Sequence, residues 1–253
     1  MNREVVSTAD DRLIYGRRPV VELLRSGGPA ERVLLERSAA PSSAIGDIRK
    51  RAESAGVPIR MVPRTELDRL TDGGNHQGVA AVTGRFRYAD LPELLARPAA
   101  ALLFLDGITD PHNLGSLLRS ADGAGFDGIV IPARRAAQVN STVRRVSAGA
   151  AEVVPVARVT NLARALDDAR TAGIWVVGLD QEAEESLWTS DLLEPPLALV
   201  LGAEDRGLAP NVRGHCDALV TIPSVGRLES LNVAVAGAVA MFEVARRRGR
   251  RVG

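Results

Sequence analysis

From residue 99 onwards, short apolar runs alternate with helical patterns, and this alternation constrains the fold more than any other feature of the chain. Strands are predicted at residues 102–105, 128–131, 153–156, 174–179, 197–201 and 219–222. Helices are predicted at residues 114–124, 141–148, 162–172 and from 231 to about 248. Strands that are apolar without a polar alternation are buried on both faces. The pattern therefore predicts an α/β domain with a mostly parallel sheet that is covered by helices.

The first 83 residues carry a smaller pattern that predicts a separate domain. Helices are predicted at residues 19–24, 42–55 and 64–70, and strands at 32–35, 59–62 and 78–82. Residues 1–11 are polar and are predicted to be a loose tail. Residues 84–98 are richer in Pro and Arg, as is typical of a linker. The predicted organisation is therefore a small αβ domain over 1–83, a linker over 84–98 and a larger domain over 99–253.

Composition and standard motifs exclude several classes of function. The net charge of +1 gives no argument for nucleic acid, and the single cysteine, Cys216, excludes an internal disulfide. The segment 1–12 lacks the apolar core of a signal peptide, and no apolar run approaches the ~20 residues of a membrane helix. The sequence contains no P-loop motif, and its three histidines do not have the spacing of zinc ligands. We therefore expect a cytoplasmic protein without a metal or a membrane partner.

Polar side chains follow three of the predicted strands, in the stretches 110–119, 199–208 and 221–232. The candidate residues are Asn113, Arg119, Glu204, Ser230 and Asn232. In open α/β sheets, ligands bind at the carboxyl ends of the strands, so these groups are expected to share a site. Each also has a simpler interpretation: Asn113 as a helix cap, Arg119 as a surface residue and Glu204 as a turn residue. The set pairs no nucleophile with a base, and it suits the orientation of a polar, anionic substrate.

These three stretches resemble the signature motifs of the SpoU (TrmH-type) RNA ribose 2′-O-methyltransferases, which belong to the SPOUT superfamily. Residues 15–20 (YGRRPV) and 75–79 (NHQGV) resemble the family's L30-like, N-terminal RNA-binding domain. Residues 140–152 and 215–217 are similar to the branch that methylates a guanosine of 23S rRNA. Two positions depart from the pattern, since Ser224 stands where the family usually has Met and Ala234 where it often has Ser.

The resemblance implies S-adenosylmethionine as methyl donor, a ribose 2′-hydroxyl of large-subunit rRNA as acceptor and a trefoil-knotted sheet. It also implies a homodimer with the last helix and the knot region in its interface, although core packing within one chain would explain the apolar surface of that helix equally well. It assigns the catalytic role to Asn113, Arg119, Glu204, Ser230 and Asn232. It assigns cofactor binding to Leu201, Gly202, Glu204, Ile222 and Leu231. The RNA contacts that it implies are Arg17, Arg18, His76, Gln77, Arg144 and Arg145. The resemblance suggests Arg119 as the general base. The alternative is a charge that positions a phosphate, because arginine is effectively always protonated.

Three alternatives are weighed against this interpretation. The first is 2′-O-methylation of another rRNA nucleotide or of tRNA. The second is a non-catalytic RNA-binding protein that keeps the fold, against which the complete set of candidate residues argues. The third is a small-molecule α/β enzyme unrelated to RNA, against which the additional N-terminal domain argues.

Overall fold

The computed structural model describes residues 12–38, 42–224, 226 and 231–249, and these form two compact units. The first unit takes in the chain up to residue 87 together with a later segment, residues 139–153. The second unit contains residues 88–138 and the chain from 154 onwards. The first unit thus includes a piece of the segment that the sequence pattern places wholly in the larger domain. None of the helices that the structure describes combines the length and apolar character needed to span a bilayer.

Within residues 12–38 and 42–83, the structure has four strands and three helices. They are β1 (Leu13–Tyr15), α1 (Arg17–Arg25), β2 (Ala30–Glu36), α2 (Ser43–Ser54), β3 (Ile59–Val62), α3 (Arg64–Leu70) and β4 (Val79–Thr83). The sheet order is β1-β4-β2-β3, with β2 and β3 parallel and the other pairs antiparallel. The short strand β1 was not predicted.

Both faces of this sheet are buried, as the alternation along β2 shows. Val33 and Leu35 pack into the cluster that includes side chains of α1 and α2. Leu34 points to the opposite face and packs with Leu67 and Leu70 of α3. Successive strand side chains alternate between faces, so one strand serves two small cores and the unit has three layers.

The remaining elements follow in chain order. They are α4 (Leu91–Leu95), β5 (Ala101–Leu105), α5 (Pro111–Ala124), β6 (Gly128–Pro132), α6 (Ser141–Val146), a 3₁₀ turn (Ala150–Glu152), β7 (Val156–Val159), α7 (Leu162–Thr171), β8 (Trp175–Leu179), β9 (Glu185–Ser186), β10 (Leu197–Leu201), α8 (Pro210–Arg213), β11 (Ala218–Thr221) and α9 (Val233–Arg247). The helix α6 and the 3₁₀ turn belong to the first unit.

Seven strands of the second unit form one sheet in the order β7-β6-β5-β10-β8-β11-β9, and every pairing in it is parallel. The predicted α/β fold with a mostly parallel sheet is confirmed. One predicted strand was misplaced, because Pro155 supplies no N–H for the ladder and β7 therefore begins at Val156 rather than at 153. The trefoil knot that the resemblance implies stays a prediction.

Helices α5 and α9 cover one face of this sheet and approach each other closely at Gly237. A Cβ atom at Gly237 would lie 2.5 Å from a side-chain carbon of Leu117 on α5 and 2.6 Å from one of Leu201 on β10. The other face packs Phe104 and Val200 against α7. Because the strands are parallel, the loops that leave β5, β10 and β11 emerge at one edge of the sheet, and each leads towards one of the candidate residues.

Candidate functional site

The loop after β10 is closed by backbone hydrogen bonds that hold Glu204 in place. The N–H of Ala203 donates to the carbonyl of Gly207 at 3.0 Å, and the N–H of Gly207 donates back to Ala203 at 2.8 Å. A Cβ atom at Gly202 would lie 2.1 Å from the carbonyl carbon of Gly207, so this approach requires glycine. The turn fixes the backbone on both sides of Glu204.

Asn232 begins α9 and connects that helix to Glu204. Its Oδ1 accepts hydrogen bonds from Ala234 N at 3.0 Å and Val235 N at 3.3 Å, which makes it the N-cap of the helix. Its Nδ2 donates to Oε1 of Glu204 and, at 3.2 Å, to Oδ1 of Asn113. The cap therefore orients the amide so that its donor face meets the two other side chains.

Glu204 is the acceptor at the centre of this cluster. Besides the bond from Asn232, its Oε1 accepts from Nδ2 of Asn113 at 3.1 Å and from the backbone N of Val233 at 3.2 Å. Hydrogen bonds that a carboxylate accepts are shorter and stronger than those between neutral groups. Asn113, Glu204 and Asn232 therefore form one hydrogen-bonded cluster, although the chain separates them by up to 119 residues.

Asn113 is not the cap of α5, contrary to the simpler interpretation of its position. Asp110 caps this helix, since its Oδ1 accepts from His112 N at 2.8 Å, and Pro111 occupies the first turn. The hydrogen bond from the His112 backbone lowers the pKa of the Asp110 carboxyl below its usual range. Because Asp110 satisfies the end of the helix, the Asn113 amide remains available for Glu204 and Asn232.

A cavity of about 370 Å³ lies beside the cluster, at the carboxyl ends of β8, β10 and β11. Its lining includes all five residues that the resemblance assigns to the cofactor: Leu201, Gly202, Glu204, Ile222 and Leu231. Asp180 and Glu182, which follow β8, add carboxylates to the wall. These two residues were not predicted as site residues, although a polar residue soon after a predicted strand is the same signal that marked Glu204.

A second cavity of about 310 Å³ lies next to the first and shares Glu204 and its neighbours in the 203–206 loop. The wall that is its own comes from residues 107–110, Asn113 and Arg135. Arg135 has a φ of 57°, which is uncommon outside glycine. Glu204 therefore stands at the boundary between two adjacent cavities. Arg135 was not predicted as a site residue, because no pattern in its loop distinguishes it from Arg134.

Among the predicted catalytic residues that the structure describes, Arg119 is not part of the hydrogen-bonded cluster. Arg119 lies on α5, six residues after Asn113, and its side chain is exposed and lines neither of these cavities. Six residues correspond to about 9 Å along a helix, which separates the two side chains. Ser230 lies outside the described residues.

The predicted RNA contacts in the first unit have different surroundings. Arg18 is exposed, and Arg17 is half-buried and hydrogen-bonded to Gln77. His76 is 3% exposed, and its Nε2 pairs with Asp68. A buried imidazole with such a partner is a structural element of the loop rather than a surface contact for RNA.

The surroundings of Arg144 contradict the prediction that this residue contacts an RNA phosphate. Its side chain has no exposed surface, and its Nε and Nη2 bind the two carboxylate oxygens of Glu152 at 2.6 and 3.0 Å. Nη1 donates to Oγ1 of Thr83 at 2.5 Å. A guanidinium enclosed in this way cannot reach a phosphate in solvent. Arg145 is half-buried, with its guanidinium 5.3 Å from the centre of the Tyr15 ring.

The single cysteine, Cys216, is not an activated nucleophile. Burial raises the pKa of the Cys216 thiol to about 12, so it stays protonated and unreactive at neutral pH. In the part of the chain that the structure describes, no group of three or more His, Cys, Asp or Glu side chains is placed to hold a metal ion. The arrangement suits the binding and orientation of two polar ligands on either side of Glu204.

Comparison with known families matches both parts of the chain. Residues 100–242 match the model of the SpoU rRNA methylase family, and residues 13–89 match the substrate-binding domain of RNA 2′-O ribose methyltransferases. The first match alone covers more than half of the chain. The chain belongs to the SpoU rRNA methylase family. It is accordingly an RNA 2′-O-ribose methyltransferase, and the cluster around Glu204 lies within the catalytic part of this SpoU protein.

Individual relatives support the assignment over most of the chain. The 23S rRNA (guanosine-2′-O-)-methyltransferase RlmB of Photorhabdus laumondii is 50% identical over 200 residues, which cover 78% of this chain and 82% of RlmB. An uncharacterised tRNA/rRNA methyltransferase of Mycobacterium marinum is 41% identical over 95% of this chain and 79% of its own length. The structure of the SpoU methyltransferase AviRb from Streptomyces viridochromogenes, in complex with the cofactor AdoMet, has a TM-score of 0.78 at 28% identity, and the match covers 93% of this chain and 90% of AviRb.

Proposed function

We propose that this SpoU protein transfers a methyl group from S-adenosylmethionine to the 2′-hydroxyl of a guanosine in 23S rRNA. The observation that carries the proposal is the position of Glu204, which lies at the boundary of two cavities and is fixed there by Asn113 and Asn232. The RlmB relatives support the choice of guanosine and of 23S rRNA.

The larger cavity fits S-adenosylmethionine. Leu201, Ile222 and Leu231 provide apolar walls for an adenine ring, and the backbone of the 202–207 loop is exposed to the cavity without intervening side chains at Gly202 and Gly207. Carboxylates such as Asp180 and Glu182 suit ribose hydroxyls and an ammonium group. When bound, the cofactor supplies a methyl group that its sulfonium already activates.

The chain's own contribution is orientation and electrostatics. Asn113 and Asn232 hold the Glu204 carboxylate in one position, so its second oxygen can accept a hydrogen bond from a ribose hydroxyl without reorganisation. Arg135 and Arg206 line the smaller cavity and provide cations for a neighbouring phosphate. These contacts support a target nucleotide that binds in the smaller cavity, next to the proposed cofactor cavity.

Arg119 stays in the proposal as the residue that activates or positions the target nucleotide. It is exposed, so it can contact an RNA strand that enters the smaller cavity from the surface of α5. A charged guanidinium would bind a phosphate and, by its field, would ease loss of the hydroxyl proton. As a base, Arg119 would have to lose its own proton, which is strongly unfavourable in water.

The proposal includes a homodimer formed through α9. This helix exposes large apolar side chains, with Val235 50% and Phe242 41% exposed, and Leu231 just before it is 45% exposed. Exposed apolar side chains grouped on one element are typical of an association surface. Sedimentation at micromolar concentration checks the dimer: Val235→Glu combined with Phe242→Glu should give a monomer, whereas a dimer that survives both changes contradicts this interface.

The function is tested by binding and transfer with the full chain. Titration calorimetry should show binding of S-adenosylmethionine in the absence of RNA and metal, with competition by S-adenosylhomocysteine. Labelled methyl should then appear on 23S rRNA fragments, at a ribose of a guanosine. Methylation of tRNA instead would favour the broader tRNA/rRNA specificity named for the mycobacterial relative, and the absence of transfer to any RNA would identify a non-catalytic member of the fold.

A further inference from the structure

A further polar cavity, of about 340 Å³, lies entirely within the first unit, at the edge of the sheet where β2 ends and β4 begins. Its wall consists of Arg17, Glu36, Ser38, Arg64, Asp68 and the loop of residues 73–78. The volume falls within the ~300–1,000 Å³ range of small-molecule pockets. The cavity therefore has the size of a binding site, and its wall carries both cations and carboxylates.

The buried side chain of His76 holds the 73–78 loop through two hydrogen bonds. Its Nδ1 accepts a hydrogen bond from the backbone N of Gly78 at 2.9 Å, so the ring proton resides on Nε2. Nε2 in turn donates to Oδ1 of Asp68 at 2.9 Å. The imidazole is 3% exposed, and its two hydrogen bonds connect the loop to α3. A loop held in this way is preorganised for a ligand.

Arg17 is held against the same loop by two bonds to Gln77. The backbone N of Arg17 donates to Oε1 at 3.0 Å, and Nε donates to the carbonyl oxygen at 3.1 Å. Gln77 has a φ of 52°, a conformation that non-glycine residues rarely adopt. These contacts leave the terminal nitrogens of the Arg17 guanidinium as donors at the wall of the cavity.

Glu36 supplies the acceptor. It is only 8% exposed although it lines the cavity, and its Oε1 accepts from the Ser38 hydroxyl at 2.9 Å. A carboxylate can accept about four hydrogen bonds, so Glu36 keeps acceptor capacity for a ligand. Asp68 is less available, because His76 and Arg64 already face its two oxygens. The cavity thus offers one acceptor pair from Glu36, together with donors from Arg17 and Arg64.

We propose that this cavity binds an unpaired guanosine of the substrate RNA, other than the nucleotide that is methylated. The Watson–Crick edge of guanine presents two adjacent donors, N1–H and N2–H, which match a carboxylate, and the acceptor O6, which matches an arginine. Adenine and cytosine each present a single donor group on this edge. Proteins recognise RNA sequence mainly through such unstacked bases. The identification of the ligand as RNA rests on the proposed function.

The test measures binding of four short RNAs to the full chain by fluorescence anisotropy. The sequences are UUGUUU, UUIUUU, UUAUUU and UUCUUU, in which I is inosine. The guanosine RNA should bind about five- to tenfold more tightly than the adenosine and cytidine RNAs. Inosine lacks only the 2-amino group and should give an intermediate affinity. Equal binding of all four RNAs to the unmodified protein would overturn the proposal.

Glu36→Gln should bring the four affinities to within about twofold of one another. The amide replaces one of the two acceptor oxygens with an NH₂ donor, so it cannot pair with both N1–H and N2–H of guanine. The matched control is Glu53→Gln, which changes an exposed carboxylate of α2 in the same unit and should keep the preference. If Glu36→Gln does not fold, Arg64→Ala decides the matter, since that side chain is 69% exposed. Loss of the preference for guanosine in Arg64→Ala supports the proposal, and an unchanged preference contradicts it.

Two further measurements separate this inference from the proposed function and from a free nucleotide. If the protein methylates 23S rRNA but binds the four RNAs equally, the guanosine proposal is wrong and the proposed function stands. A chain that prefers the guanosine RNA yet methylates no RNA disproves the proposed function alone. Displacement of the guanosine RNA by GMP at micromolar concentration would assign the cavity to a free nucleotide and overturn the RNA proposal. Weak competition by GMP is the expected result.

Discussion

The Nδ2 atom of Asn232 donates a hydrogen bond to Oε1 of Glu204, while Oδ1 of the same amide caps α9. One side chain therefore has two separable tasks, since its oxygen stabilises a helix and its nitrogen positions a carboxylate at the boundary of two cavities. The two tasks can be distinguished by substitution, because a serine caps a helix but has no amide.

Asn232→Ser should keep the free energy of unfolding close to that of the unmodified protein and lower single-turnover methyl transfer by about 10²-fold, as expected when a positioned group is displaced. Asn232→Ala should lose both functions and cost about 1 kcal/mol of stability in addition. Asn161→Ser is the matched control, because Asn161 caps α7 through Arg164 N outside the site. Full transfer activity in Asn232→Ser would contradict the proposed role of the amide.

Arg119→Ala should fold and bind S-adenosylmethionine normally, because the side chain is exposed and lines neither cavity of the catalytic part. Single-turnover transfer to saturating rRNA should fall by about 10²–10⁴-fold. Arg119→Lys distinguishes the roles: recovery of activity indicates a base or a point charge, and no recovery indicates bidentate contact with a phosphate. Arg164→Ala, an exposed arginine on α7, is the control. Near-normal transfer by Arg119→Ala would identify Arg119 as an ordinary surface residue.

Gly202→Ala should weaken binding of S-adenosylmethionine by about tenfold or more, because the new methyl group would lie 2.1 Å from the Gly207 carbonyl carbon and force the 203–207 turn open. Calorimetry measures the change. Gly214→Ala is the control in the same unit, since a Cβ there makes only ordinary contacts at 3.5 Å or more. Equal affinity in Gly202→Ala would show that the closed turn does not shape the cofactor cavity.

Glu243 should contribute a pH-dependent part of the stability. Hydrogen bonds from Arg246 and Arg247 lower the pKa of this carboxyl from 4.5 to about 2. A lowered pKa means that the stabilisation is present above the unfolded value and disappears as the pH falls towards about 2. Glu243→Gln should therefore cost about 1–3 kcal/mol in urea unfolding at pH 7 and progressively less below pH 4. An equal loss of stability at pH 7 and below pH 4 would contradict the contribution of these ion pairs. Glu184→Gln, which changes an exposed carboxylate, is the control.

Arg18 and Arg144 should respond in opposite ways to substitution. Arg18→Ala removes an exposed charge, so it should leave stability within about 0.5 kcal/mol and reduce the salt slope of RNA binding by about 0.7–0.9 for each phosphate that Arg18 neutralises. Arg144→Ala leaves Glu152 buried without its partner and should cost about 3–5 kcal/mol. An unchanged salt slope in Arg18→Ala would mean that Arg18 binds no phosphate.

Segment 139–153 belongs to the first unit, so removal of residues 1–83 would affect more than RNA binding. Thr83 contributes to the surroundings of Arg144, and the whole segment belongs to the first compact unit. Removal of residues 1–83 would therefore leave a buried ion pair without its enclosure and would not test RNA binding alone. Point substitutions such as Arg18→Ala test that function without this disruption.

Local sequence patterns predicted the six longer strands of the second unit's parallel sheet, although not the two-residue strand β9 or the short helix α8. Apolar runs without alternation predicted a parallel sheet, and polar residues after those runs marked Asn113, Glu204 and Asn232 without knowledge of the hydrogen bonds among them. This success has a physical reason, because the carboxyl ends of parallel strands must lie at one edge of the sheet. The boundaries were less certain where a proline, such as Pro155, removed a ladder donor.

The sequence by itself determined the parallel sheet and the polar residues at the carboxyl ends of its strands, because periodicity records which faces are buried. Tertiary structure alone decided which charged groups are accessible. It enclosed Arg144 with Glu152 and Thr83, buried His76 against Asp68, and placed Arg119 outside the two cavities of the catalytic part. These outcomes depend on partners distant in the chain, such as Arg144 and Thr83 at a sequence separation of 61, and local patterns carry no information about such pairs.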